Sequence, residues 1–125
     1  MKYNNYGSVA VEAVRTISEF SSPKEAWEAA CKNYFNSISS QNKSCPKDAF
    51  LGLCKEGLVK GIMKGSYTRS KLNKSYALKA LKILKENNNE VYSTRELWEK
   101  LKLEGKSHNS QLDVVLALWN NNLIK

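Results

Sequence analysis

A chain of 125 residues with 42 % apolar and 26 % charged residues is long enough to bury one core without metal or disulfide staples. Six glycines and two prolines are too few for a disordered chain, no apolar run approaches the roughly 20 residues of a membrane span, and Met1 to Tyr6 lack the apolar core of a signal peptide. A cytoplasmic protein is expected, and its formal charge of +8 invites an anionic partner.

In chain order, the first predicted helix runs from Gly7 to Phe20, where Val9, Ala10, Ala13, Val14 and Ile17 recur at helical spacing opposite Glu12, Arg15 and Glu19. The second runs from about Pro23 to Phe35 with Ala26, Trp27, Ala30, Cys31, Tyr34 and Phe35 inward. It opens on a capping box, in which Ser22 accepts from the N–H of Glu25 while Glu25 reaches back. Asn36 to Lys43 is polar and reads as a loop. The third helix runs from about Pro46 to Glu56; its apolar surface covers much of the circumference, so it is expected to be central. Gly57 supplies a left-handed position after it, and Leu58 is the apolar residue that follows such a cap.

The second and third helices begin alike. Ser21 to Lys32 and Ser44 to Lys55 repeat one pattern at an offset of 23 residues: a small polar residue before a proline, an acid three positions on, then an aromatic opening an apolar stripe. Both are expected to pack against the first helix. Cys31 and Cys54 occupy equivalent inward positions and read as small buried hydrophobes. Cys45 falls at the N-cap, where the helix dipole lowers a thiol pKa, although no histidine is near it in sequence. Three cysteines without a C-x-x-C pair indicate neither a disulfide framework nor a zinc knuckle.

Gly57, Gly61 and Gly65 are spaced by four, but Lys60 and Lys64 between them favour turns over a helix-packing motif. Gly65 to Lys74 is an extended connection between an N-terminal half, residues 1–64, and a C-terminal half, residues 75–125. The fourth helix, about Lys74 to Asn87, buries Ala77, Ala80, Leu81 and Leu84 and turns Lys79, Lys82 and Lys85 outward. Val91 and Tyr92 read as a short extended segment. Ser93 or Thr94 caps a fifth helix through Leu97, Trp98 and Leu101, which Gly105 stops. Ser107 to Asn109 lead into a sixth, striped by Leu112, Val115, Leu116, Trp119 and Leu123. The expected fold is an all-α single domain of about six helices whose C-terminal half has helix-turn-helix order.

Few residues invite catalysis. His108 is the only histidine, which excludes two-histidine metal sites on this chain and reads as a capping or surface group. There is neither a glycine-rich phosphate loop nor an H-E-x-x-H. The acid pairs Glu25/Glu28 and Glu96/Glu99 sit in first helical turns, where the dipole explains them. The expectation is a protein that is not an enzyme and uses no cofactor or metal.

Charge is more informative. From Lys55 to Lys82 eight basic residues face one acid, Glu56. Lys60, Lys64, Arg69, Lys71, Lys74, Lys79 and Lys82 are therefore candidate phosphate contacts, and Tyr67, beside Thr68 in a loop read as flexible, is a candidate stacking surface. In the helix-turn-helix reading, Asn109 and Gln111 open the second helix of the motif and reach base edges. Against this, the last helix is apolar around most of its circumference, with Asp113 and Asn120 on a narrow polar strip. The alternative is a protein-interaction module, such as a phage or mobile-element regulator, whose basic face meets an acidic protein. Trp119 and its apolar neighbours also leave room for a homodimer.

Three motifs carry a resemblance: Ser22-Pro23-Lys24-Glu25-Ala26-Trp27, Cys45 to Ile62 (C-P-K-D-A-F-L-G-L-C-K-E-G-L-V-K-G-I), and His108-Asn109-Ser110-Gln111-Leu112-Asp113-Val114-Val115. Together they resemble a small bacterial family of unknown function. The resemblance implies a compact cytoplasmic domain of bacterial or mobile-element origin and carries no activity with it.

Overall fold

The computed structural model describes residues 3–102 and 108–125. Among these residues seven α-helices follow one another: α1 (Asn5–Arg15), α2 (Pro23–Tyr34), α3 (Ile38–Gln41), α4 (Ser44–Lys55), α5 (Leu72–Glu86), α6 (Thr94–Lys100) and α7 (Gln111–Asn120), with a 3-10 turn at Ile17–Glu19. Among the described residues there is no strand, and Val91 and Tyr92 belong to no regular element. The molecule is one all-α domain. Its six longer helices answer to the six read from the sequence. Single-turn α3 arises inside the predicted loop, because the Ser37 hydroxyl accepts from the N–H of Ser40. Gly105 and Ser107, read as a helix stop and a lead-in, lie outside the described residues.

Local chemistry sets most boundaries. Asn4 caps α1 by accepting from the N–H of Tyr6 at 3.0 Å, so the helix begins before Gly7. The Ser22 hydroxyl takes the N–H of Glu25 at 3.2 Å, while the Glu25 carboxylate turns back to the Ser21 hydroxyl. At α6 both arms of a capping box form between Ser93 and Glu96, at 3.1 and 3.0 Å. At the other end of α4, Gly57 is left-handed with φ +73°, Gly57 N–H reaches Cys54 O at 3.0 Å and Leu58 N–H reaches Leu53 O at 3.1 Å. This is a Schellman cap. Gly61 is also left-handed at φ +81°, so the glycine run makes turns.

Helix α7 closes in the same way, with Asn122 in the place of glycine at φ +59° and Leu123 N–H on Leu118 O at 2.9 Å. The residues after the two caps then pair. Lys60 N–H donates to Leu123 O and Lys125 N–H donates to Leu58 O, each at 2.8 Å, and Val59 and Ile124 form an antiparallel bridge.

The core is organised around α7, whose residues Gln111 to Leu118 are all buried. α1, α4, α5 and α6 pack on it, α2 lies along α1, and α4 lies along α5. The expectation that both repeated helices rest on α1 is corrected: α2 does, whereas α4 makes its main contacts with α5 and α7. A helix apolar on nearly every side gains most by being surrounded, and α7 takes the position beside α1. Leu112 to Leu118 are thereby covered within one chain, while Trp119 stays half-buried.

The repeated helices still meet, and they do so through equivalent residues. Trp27 and Phe50 stack at 5.2 Å between ring centroids, both fully buried, and Cys31 and Cys54 are buried as read. Tyr34, read as inward, is exposed. Among the described residues no helix is long and apolar enough to cross a membrane.

Candidate functional site

Lys24 precedes Trp27 by three residues in α2, and Lys47 precedes Phe50 by three in α4, so each lysine shares a face with its aromatic one turn upstream. Because the aromatics stack, the lysines converge. Both line a cleft of about 610 Å³, to which α4 also presents Asp48, Leu51 and Lys55. The facing wall is Ser66 to Arg69.

That wall is held by side-chain bonds. Thr68 donates its hydroxyl to Asp48 Oδ1 at 3.0 Å, Lys55 Nζ donates to the Thr68 carbonyl at 3.2 Å, and Tyr67 donates its hydroxyl to Met63 O at 2.6 Å. Ser70 N–H adds a bond to the Thr68 hydroxyl at 3.1 Å. The segment read as a flexible loop is thus tied to α4. Among the described residues, four cations, Lys24, Lys47, Lys55 and Arg69, face one carboxylate, Asp48. Lys47 also lies 3.7 Å from Glu28. Partly solvated pairs of that length contribute little, and the cleft keeps a positive excess.

Of the predicted site residues, Tyr67 and Arg69 line this cleft. Lys60, Lys64, Lys71, Lys79 and Lys82 are exposed elsewhere, and Lys82 borders a groove of about 240 Å³ with Leu58, Leu78 and Leu81. Lys74 is engaged: its ammonium sits 2.9 Å from Glu56 Oε2, and its hydrogen bond and charge hold the Glu56 carboxyl below the usual carboxylate range.

The base-reading expectation for Gln111 is corrected. Gln111 is 2 % exposed, its Nε2 donates to Asn73 Oδ1 at 3.1 Å and its Oε1 accepts from Asn109 N–H at 2.6 Å, so its amide serves the start of α7. Asn109 is half-buried in the same turn. Asp113 does not lie on an outer polar strip either. It is buried and accepts from the backbone N–H of Asn4 at 3.0 Å, tying the starts of α1 and α7 together.

Sequence reasoning missed Lys24 and Lys47, although both stood in the repeat. The available signal was their equivalence: if the aromatics of two repeats meet, the lysines one turn before them meet as well. Lys55 was counted in the charge run but not assigned to a site.

Burial pushes the Cys31 thiol up to about 11 and raises that of Cys54 further. Cys45 is not the N-cap. α4 starts at Ser44 after Lys43, and the half-buried Cys45 is already inside the first turn. Among the described residues no three His, Cys, Asp or Glu side chains gather as metal donors.

His108 caps α7, its Nε2 accepting from Leu112 N–H at 3.1 Å, with the Trp98 ring at 5.1 Å and Asp113 Oδ2 at 4.0 Å. That bond requires neutral imidazole. Burial lowers the His108 pKa, offset in part by Asp113, whose own carboxyl is raised by burial. The folded state therefore binds fewer protons at His108 than the unfolded chain, so stability falls as pH drops below about 6.5. Asp113 acts in the opposite direction, losing its destabilising charge as pH falls through its raised value, and Glu56 and Glu96 titrate below their ordinary range. Urea midpoints are expected to decline from pH 7.5 to 5.5. In His108→Asn, which keeps an acceptor that does not titrate, the decline should flatten; an equal decline in both proteins contradicts the assignment.

No curated protein and no solved structure is a significant match to the chain. The model of a family of unknown function, DUF6979, matches residues 3–125. A resemblance to a family of unknown function is expected from the sequence, and this chain with its basic cleft belongs to that family.

Proposed function

We propose that this protein is a non-enzymatic nucleic-acid binder that seats phosphates in the cleft between α2, α4 and the wall at Ser66 to Arg69. The supporting observation is the convergence of Lys24, Lys47, Lys55 and Arg69, from three separate segments, on one concavity with a single lining carboxylate among the described residues. Such a surface gains free energy by releasing counterions from a polyanion. The exposed Lys60, Lys64 and Lys71 add to the positive field and favour rapid encounter. Three free thiols fit a cytoplasmic setting.

The test is binding of labelled oligonucleotides to nuclease-treated protein across a salt series. Lys24→Glu with Arg69→Glu, both at exposed positions, is expected to lower affinity at least ~10-fold and to reduce the salt slope by about 2, one per lost phosphate contact. Unchanged affinity and slope overturn the proposal. Lys74 is a poor choice for such a variant, because reversing it breaks the pair with Glu56.

An acidic protein partner is the second reading. Met63 and Leu72 are 82 % and 55 % exposed and neighbour the exposed Lys60, Lys64 and Lys71 in sequence, a mixture of apolar and basic side chains suited to an acidic, partly apolar face. A stoichiometric protein complex that survives nuclease treatment favours it.

A further inference from the structure

We infer that the nucleic acid this cleft accepts is single-stranded, with the phosphates held by Lys24, Lys47, Lys55 and Arg69 and a base laid on Tyr67; the inference rests on the nucleic-acid reading above. Duplex readers place a helix or a two-stranded ribbon in a groove. Here the helix in the position to do so, α7, is buried from Gln111 to Leu118, and the described residues contain no ribbon. What remains is concave. At about 610 Å³ the cleft falls within the roughly 300–1,000 Å³ typical of ligand pockets, where a base and its phosphates can enter. A duplex is a convex rod whose bases are stacked away from such a depression.

The arrangement also suits a strand. Lys24 and Lys47 come from the two repeated helices, Lys55 from two turns further along α4, and Arg69 from the facing wall, so cations reach the cleft from more than one side. A single strand presents phosphates to both sides because its backbone is flexible. Tyr67 is half-buried, lines the cleft, and has its hydroxyl fixed on Met63 O at 2.6 Å. Its ring leans over Gly65, where an added Cβ would lie 2.8 Å from Tyr67 Cζ. The ring is therefore positioned in advance, as a stacking platform for single-stranded nucleic acid needs to be.

Fluorescence anisotropy with labelled oligo-dT and oligo-U of about 10–20 nucleotides, against duplexes of equal length, tests this directly. Single strands are expected to bind at least ~10-fold tighter than duplexes at moderate salt, and Lys24→Gln with Lys47→Gln to weaken them about tenfold. Tyr67→Leu is expected to weaken single strands about tenfold with the salt slope unchanged, while Tyr67→Phe, which keeps the ring but loses the bond to Met63, is expected to lose clearly less. Lys79→Gln with Lys82→Gln, on the outer face of α5, serves as the charge-matched control and is expected to have little effect. Circular dichroism checks that each variant folds.

Duplex binding as tight as single-strand binding overturns the inference, as does loss of binding through Lys79 and Lys82 with the Lys24 and Lys47 variant intact. The first result leaves the nucleic-acid reading standing, whereas the second overturns the cleft as its seat as well. Inorganic polyphosphate binding as tightly as oligo-dT, together with an inert Tyr67→Leu, also overturns it, since charge alone is then being read. Failure to bind any strand or duplex at low salt removes both proposals.

Discussion

Replacing Trp27 by alanine is expected to destabilise the fold by about 3–5 kcal/mol, the range for removing a fully buried large aromatic. A domain of this size has roughly 5–15 kcal/mol in total, so the loss is a large share of its stability. The indole is fully buried, stacks on Phe50 at 5.2 Å, and joins the two copies of the repeat. It has a second property: among the described residues its Nε1 finds no hydrogen-bond partner. Burying an unpaired donor costs about 1–3 kcal/mol, and that cost is present in the native protein. Trp27→Phe removes the donor while keeping an aromatic on Phe50, so the relieved penalty offsets part of the lost volume, and the variant should lose less than about 2 kcal/mol. Urea unfolding of both variants measures the difference. Trp27→Phe falling as far as Trp27→Ala would show that ring size, with no relief from the donor, sets the stability here. A double-mutant cycle with Phe50→Leu is expected to return a coupling of about 0.5–1.5 kcal/mol for the aromatic pair.

Much of this architecture is written in neighbouring residues. The stripe of Ala77, Ala80, Leu81 and Leu84 faces the core, the caps at Ser22 and Ser93 form, and Gly57 with Leu58 ends α4 as such a pair does. Each of these depends on residues within about one turn, and that range a sequence exposes. The partners of a helix do not lie within that range. Nothing near α4 says that it rests on α5 and α7 instead of α1, and the burial of Asp113 and Gln111 depends on Asn4 and Asn73, which are remote in the chain. Polar residues at a helix start read as surface until the elements that cover them are known.

The candidate site was legible in part for the same reason. Counting charge along the chain located Tyr67 and Arg69 but weighted Lys55 to Lys82 as a block, whereas the cleft draws on Lys24 and Lys47 far upstream. Lys74 shows the limit of a charge count. Its ammonium is neutralised by Glu56, and its stem fills the space that Gly52 leaves open. The repeat held the better clue, since equivalent residues that pack together bring their equivalent neighbours with them.

Gly52→Val is expected to be nearly as damaging as the loss of Trp27, by about 3 kcal/mol, at the upper end of ordinary overpacking. In mid-helix a glycine costs about 1 kcal/mol relative to alanine, so at an exposed site its replacement stabilises. Here the opposite sign is expected. A Cβ at residue 52 would lie 2.8 Å from Lys74 Cβ and Cγ and 2.9 Å from Lys74 Cα. The last of these is backbone, which no rotamer change can move, so α4 and α5 must separate along their contact. That separation also draws Lys74 away from Glu56, and the Glu56 carboxyl should return toward its ordinary range as the hydrogen bond and charge recede. Gly52→Ala meets the same atoms with a smaller group. Its propensity gain of about 1 kcal/mol offsets part of an overpacking cost of about 1–3 kcal/mol, and the net should still be a loss. Gly61→Ala separates space from backbone strain, because nothing lies within 4 Å of an added Cβ there while φ is +81°. Its expected loss is about 1 kcal/mol, from conformation alone. Denaturant midpoints for the three variants should therefore fall in the order Gly61→Ala, close to Gly52→Ala, then Gly52→Val well below both. A Gly52→Ala protein more stable than the parent would mean that α4 and α5 do not approach this closely, and that Lys74 is held by its ion pair without the packing beneath it.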